Sequence, residues 1–231
     1  MINTPKIYKM RIVFGWTDVA ARHANVLNAV RKMILASGLP FEPAKINVHW
    51  PRFVYGPVPA QGIQVEREYL DIYLREIRSE AEVTEALKQA APKEMVLLQV
   101  TRVPYPLPSV QNLAAAVRYR VKGDFSPLLS SGRKIEGTGA EKLLVSLRAE
   151  NGMMLQQDIG SSLLEARRVA QDEIVFTAAL SNNKWVPPQW YVAAWLGIEL
   201  PAREESVVLE GFTLIRQTFL WKDSQGEFHP I

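Results

Sequence analysis

No cysteine occurs in the 231 residues. Disulfides, iron–sulfur ligation and a thiol nucleophile are therefore excluded. Histidine is almost as scarce, with only His23, His49 and His229. No pair of them has zinc-ligand spacing, so neither a metal nor another cofactor is expected. No apolar run approaches the roughly 18 residues a membrane helix needs. The first residues, Met1-Ile2-Asn3-Thr4-Pro5-Lys6, lack the apolar stretch of a signal peptide, and a cytoplasmic location is the expectation. There is no G-x-x-x-x-G-K-[ST] phosphate loop, no G-x-G-x-x-G after a strand and no G-x-S-x-G elbow. Nucleotide hydrolysis, dinucleotide binding and hydrolase chemistry of those types lose their usual signatures.

Charge is present but uneven. The net charge is +3. Residues 1–122 hold 17 Lys/Arg against 10 Asp/Glu, a balance of +7, and residues 123–231 hold 10 against 14, a balance of −4. A basic half attracts phosphate. The same split also fits two halves that attract each other, or charges that are simply solvated.

Periodicity divides the first half into strand, helix, strand, strand, helix, strand. Ile7 to Phe14 alternates, with Tyr8, Met10, Ile12 and Phe14 on one side and Lys9, Arg11 and Val13 on the other. A helix follows the N-cap candidate Asp18, carries the stripe Val26, Leu27, Val30, Met33, Ile34, and stops at Gly38. Ile46 to Tyr55 reads as a strand broken at Pro51, and Glu68 to Arg75 as the next. Ser79-Glu80-Ala81-Glu82 has the capping-box pattern ahead of Val83, Ala86, Leu87 and Ala90. Met95 to Val103 closes the series. Pro104-Tyr105-Pro106-Leu107-Pro108 reads as a stiff linker.

The second half offers strands at Ala115–Val121, Glu141–Leu147 and Glu173–Leu180. It also offers a helix from Ser162 to Asp172, a second from Pro187-Pro188 through Leu196 stopped by Gly197, and a last strand from Val207 to Trp221. The expected class is α+β, with two tandem ferredoxin-like (βαββαβ) halves on antiparallel sheets, the second degenerate with insertions. The domains expected are a basic one at 1–104 and an acidic one at 105–231.

The most unusual stretch is Lys45-Ile46-Asn47-Val48-His49-Trp50-Pro51-Arg52, followed by Tyr55-Gly56-Pro57. Alternation sends Asn47 and His49 to one side and Ile46, Val48 and Trp50 to the other. In the expected fold one sheet face is free of helices. Arg11, Asn47, His49, Tyr69, Tyr73, Gln99 and Thr101 could share it, an arrangement of guanidinium, amide and ring that suits single-stranded RNA. Packing of that face against the second half or another protein is the alternative. Arg118 and Arg120, opposite Val117 and Tyr119, extend the basic set toward phosphate. His23 is a structural histidine or, with His49, an acid–base pair for metal-independent RNA processing. Trp185, Trp190 and Trp195 belong to a core or an interface, one of them exposed at a partner site.

The stretch from Lys9 to Val103 resembles the radical SAM-linked proteins, a bacterial domain of unknown function that stands beside or is fused to a radical S-adenosylmethionine enzyme. The resembling segments are Met10-Arg11-Ile12-Val13-Phe14, Arg22-His23-Ala24-Asn25, Arg31-Lys32, Gly38-Leu39-Pro40, Lys45 to Pro51, Tyr55-Gly56-Pro57 and Glu68-Tyr69-Leu70-Asp71. Pro187 to Val192 and Arg216-Gln217-Thr218 resemble later segments more loosely. The resemblance implies a divergent member and a radical S-adenosylmethionine enzyme as partner. Together these readings predict a non-catalytic accessory or RNA-binding module acting in RNA or ribosome-related modification. Its binding residues would be Arg11, His23, Lys45, Asn47, His49, Arg52, Arg118, Arg120 and Arg216. The alternatives are the His23–His49 RNA-processing enzyme and a protein-docking scaffold.

Overall fold

The computed structural model describes residues 6–17, 23–57, 62–130, 135, 142–180, 185–202 and 208–231. The chain divides into two compact units. One takes residues up to 58 together with 65–114, and the other takes 59–64 and 115–231.

The first unit contains β1 (Tyr8–Trp16), α1 (His23–Ala36), β2 (Pro43–Ala44), β3 (Asn47–Pro51), β4 (Phe53–Tyr55), β5 (Ile63–Leu74), α2 (Glu80–Ala90), β6 (Met95–Val103) and the short α3 (Val110–Leu113). Its sheet runs β6-β1-β5-β4, all antiparallel. Alternation along β1 works as the sequence predicts. Met10, Ile12 and Phe14 are fully buried and join Val26, Val30, Met33 and Ile34 of α1 and Val83 and Leu87 of α2 in one core. Each such side chain contributes roughly 1.5–3 kcal/mol by leaving water. Ser79 caps α2 with both halves of the capping box in place. The expected N-cap of α1, Asp18, lies outside the described residues.

β2 and β3 form a separate two-stranded hairpin, so Asn47 and His49 are not on the sheet face with Arg11. This corrects the shared-face expectation. Pro51 stops β3, and Phe53 resumes in register with Ile72 of β5.

Pro104–Pro108 is not a free linker either. It crosses the sheet face opposite the helices as a strap. Lys9 Nζ donates to the carbonyl of Leu107 and also lies 3.5 Å and 3.4 Å from those of Tyr105 and Pro108. Arg11 Nε donates to Asp71 at 2.8 Å, and Arg11 Nη2 reaches Asp71 at 3.1 Å and the Pro108 carbonyl at 3.3 Å. Asp71 also accepts from the Val110 backbone N–H at 2.8 Å. Lys9 and Asp71 are both buried. A charge taken from water must be paired in this way.

The second unit contains β7 (Ala116–Lys122), α4 (Ser126–Ser130), β8 (Leu144–Arg148), β9 (Met154–Asp158), β10 (Leu163–Ala170), β11 (Glu173–Ala179), α5 (Pro188–Leu196), β12 (Glu199–Pro201), β13 (Thr213–Lys222) and β14 (Phe228–Pro230). Two tandem βαββαβ halves are not what forms. In this unit the larger sheet runs β10-β11-β7-β13-β14, and a separate three-stranded sheet runs β12-β8-β9, in which β12 and β8 are parallel. Among the described residues α5 is its one helix longer than five residues. The chain is therefore a mixed α/β protein.

The expected helix from Ser162 to Asp172 is instead β10, hydrogen-bonded along β11. Its sequence, Leu-Leu-Glu-Ala-Arg-Arg-Val-Ala, is rich in helix formers, and strand pairing overrides that preference. Helix α5 starts with Pro188 and ends at Gly197, whose φ of 71° is the left-handed cap the sequence predicts. Gly123 is required for space, because a Cβ there would stand 2.2 Å from the Phe212 ring.

Phe176 sits at the centre of an aromatic cluster, 5.2 Å from Tyr119, 5.0 Å from Tyr191 and 5.3 Å from Trp195. Trp185 donates to the Tyr119 hydroxyl at 2.9 Å. None of Trp185, Trp190 and Trp195 is exposed, which removes the expected exposed tryptophan of that segment. Among the described residues no helix is long and apolar enough to cross a membrane.

Candidate binding cleft

The hairpin β2–β3 and helix α1 enclose a cleft of about 410 Å³ lined by Arg31, Ala44, Lys45, Ile46, Trp50, Pro51, Arg52 and Phe53. The sequence dictates its shape locally. Asn47 accepts the backbone N–H of His49 at 2.9 Å, an Asx turn that tightens the start of β3. The Arg52 N–H donates to the Glu42 carbonyl at 2.7 Å and ties the far end of the hairpin down. Alternation then leaves Ile46, Val48 and Trp50 exposed on one side.

Two arginines lie over rings. The Arg31 guanidinium lies 4.2 Å over Trp50. Arg52 lies 4.1 Å over Tyr73 and 5.9 Å from Tyr105 of the strap. Such contacts fix a guanidinium without consuming its charge. Arg31 Nη1 donates to Asn28 at 2.7 Å, one turn earlier on α1. Its Nε is buried with no hydrogen-bond partner among the described residues. Glu42, the acid attached to the hairpin, is spent on Arg75 at 2.9 Å. Among the described residues Arg31, Lys45 and Arg52 have no ion-pair partner. The cleft is thus a basic, ring-walled depression with unspent donors.

Of the sequence-predicted site residues, Lys45 and Arg52 meet here. Asn47 and His49 stand on the same hairpin but do not line the cleft, and His49 is exposed. Arg11 is committed to Asp71 beneath the strap. The side chain of His23 lies outside the described residues, so its pairing with His49 does too.

Arg118, Arg120 and Arg216 belong to the second unit. Arg118 is half-buried, with Thr177 and Thr218 as its strand neighbours. Arg120 is 3.8 Å from Glu173, and the Gln217 amide, oriented by its donors and acceptors, accepts from Arg120 Nη2 at 2.6 Å. Arg216 is fully buried, 4.7 Å over the Phe219 ring.

Sequence reasoning did not assign Arg31 or Trp50 to the site. Arg31 entered the sequence reading only within the Arg31-Lys32 segment of the family resemblance, and its contact with Trp50 spans the α1–hairpin connection, which periodicity does not reveal. Among the described residues no group of three or more His, Asp or Glu side chains could hold a metal ion.

Residues 23–184 match the family described as uncharacterized protein conserved in bacteria, DUF2344. The chain belongs to this family. The match covers α1 and the whole hairpin, so the cleft lies within the family region. No curated protein matches the chain. The family carries no assigned activity, and nothing in its description links it to radical S-adenosylmethionine enzymes.

Proposed function

We propose that this DUF2344 protein is a non-catalytic RNA-binding accessory protein that serves a separate radical S-adenosylmethionine enzyme in RNA or ribosome-related modification. The observation that carries the RNA part is the cleft, where Arg31, Lys45 and Arg52 converge without an acidic partner among the described residues. Rings beside unspent guanidinium groups suit a nucleic acid backbone with accessible bases. The partner part rests on the sequence resemblance. With no cysteine in the chain, any iron–sulfur cluster held by cysteines belongs to the partner.

The test of RNA binding is fluorescence anisotropy with short labelled RNA across a salt series. Three phosphate contacts to a single strand give a slope of about −2 in log K against log salt. Arg31→Ala with Lys45→Ala should reduce that slope by roughly 1.4 and weaken all sequences alike. No binding at low salt, or a slope unmoved by the double change, would reject the RNA reading and leave protein docking. Co-elution of the purified protein with the radical enzyme of the same host tests the partnership separately.

A further inference from the structure

We infer that the cleft is a one-nucleotide site for single-stranded RNA of any sequence, with a base stacked on Trp50, its phosphate on Arg31, and the adjacent phosphates of the strand met by Lys45 and Arg52. The inference rests on the RNA reading above and narrows it to a strand type, a stoichiometry and a specificity.

Three features of the cleft lead there. Its volume of about 410 Å³ is in the range of small-ligand pockets and far below what a double helix needs. Next, the two groups a nucleotide requires are already side by side. Arg31 covers one part of Trp50 at 4.2 Å, and Trp50 remains 37% exposed, leaving ring surface for a base. The buried Arg31 Nε has no acceptor among the described residues, and Lys45 and Arg52 line the same cleft. A phosphate supplies the acceptor that a buried N–H otherwise lacks.

The last feature concerns specificity. The remaining lining side chains are Ala44, Ile46, Pro51 and Phe53, none of which can hydrogen-bond a base edge. Asn47 and His49, the groups on the hairpin that could, are not among the residues that line the cleft. Recognition by stacking and charge alone tolerates every base, because every base has a π face. It also rejects a duplex, whose bases are stacked on one another.

The experiment compares a short RNA strand, the same strand annealed to its complement, and free AMP, each against the intact protein, Trp50→Leu and Trp50→Phe. Anisotropy reads affinity, and circular dichroism confirms that both variants fold. The intact protein should prefer the single strand by about tenfold or more. Trp50→Leu should abolish that preference while leaving the salt slope in place, and Trp50→Phe should restore part of it. Strands of different sequence should bind within a few-fold of each other. Equal affinity for strand and duplex, or Trp50→Leu behaving as the intact protein, overturns the one-nucleotide site while the RNA reading stands. AMP binding as tightly as the strand overturns the strand assignment in favour of a free nucleotide. If neither RNA form binds at low salt, the broader RNA reading fails and takes this inference with it.

Discussion

In the first unit, the sheet face turned away from α1 and α2 carries Lys9, Arg11 and Asp71, and the chain's own proline strap closes it. In the second unit, the centre is the ring cluster of Phe176, Tyr119, Tyr191 and Trp195, whose hydroxyl groups are capped by Trp185 and Ser162. One unit buries charge and satisfies it with an ion pair and main-chain carbonyls. The other buries rings at its centre, meets the Tyr191 and Tyr119 hydroxyls with hydrogen bonds from within the unit, and buries one charge, that of Arg216, against the Phe219 ring. The charged solution is worth little if its parts are counted singly, since desolvation offsets most of the attraction. Its effect is to hold the strap in place, through the carbonyls of Tyr105, Leu107 and Pro108 and the Val110 N–H.

The largest expected effect breaks the ring cluster. Phe176→Ala removes the ring that touches three others and should destabilise the protein by about 3–5 kcal/mol in urea unfolding.

A pH series sharpens the comparison, because Lys9 of the first unit and Tyr191 of the second should respond to alkali with opposite signs. Burial pushes the Tyr191 hydroxyl up to about 12, with the Ser162 hydrogen bond acting the other way. The unfolded tyrosine ionises near pH 10 and the folded one two units later. Its contribution is complete below pH 10 and is lost between pH 10 and about 12, at most roughly 2–3 kcal/mol. Lys9 moves the other way. Burial, against the attraction of Asp71 and with the repulsion of Arg11, holds its ammonium below the ordinary value of 10.5. Between its folded value and 10.5 the unfolded chain binds more protons, so this group raises stability as pH rises. Tyr191→Phe should flatten the alkaline loss of stability, and Lys9→Met should steepen it. Parallel pH profiles in both variants and the intact protein would dissolve the contrast.

Asp71→Asn keeps the shape of the strapped face but removes its anion. It should cost about 1.5–3 kcal/mol, the range for a hydrogen bond to a charged group. The smallest expected effect is Ser79→Ala, which removes the α2 cap and should cost about 1 kcal/mol without touching either the strap or the rings.

Much of the local structure was legible. Met95–Val103 forms a strand over the residues that alternation predicts, Ser79 caps α2, and Gly197 ends α5. These features depend on neighbours within a few positions, which is the range a pattern reports. The expected fold fails where partners are distant. Helix formers in β10 yield to β11, β3 leaves the main sheet for β2, and a proline run that reads as a spacer becomes a strap because Lys9 and Asp71 await its carbonyls and the Val110 N–H. The candidate site was half legible. The segment Lys45–Arg52 stands out by composition, but which side of it faces the cleft depends on Arg31 lying across Trp50. That contact promoted Arg31 and Trp50 over Asn47 and His49.

The strap also sets which part of this unit opens first. Lys9 reaches a carbonyl 98 positions later in the chain, and the strap rests on a few polar contacts to the sheet face. What rests on few contacts is generally what detaches first, through a partial opening that leaves the sheet intact. The Val110 amide proton, bonded to Asp71, should exchange with solvent through that opening, while amides of β1 bonded to β5 and β6 should wait for larger unfolding. One proton in a short helix thus keeps time for a face of the molecule that the rest of its hydrogen bonds do not report.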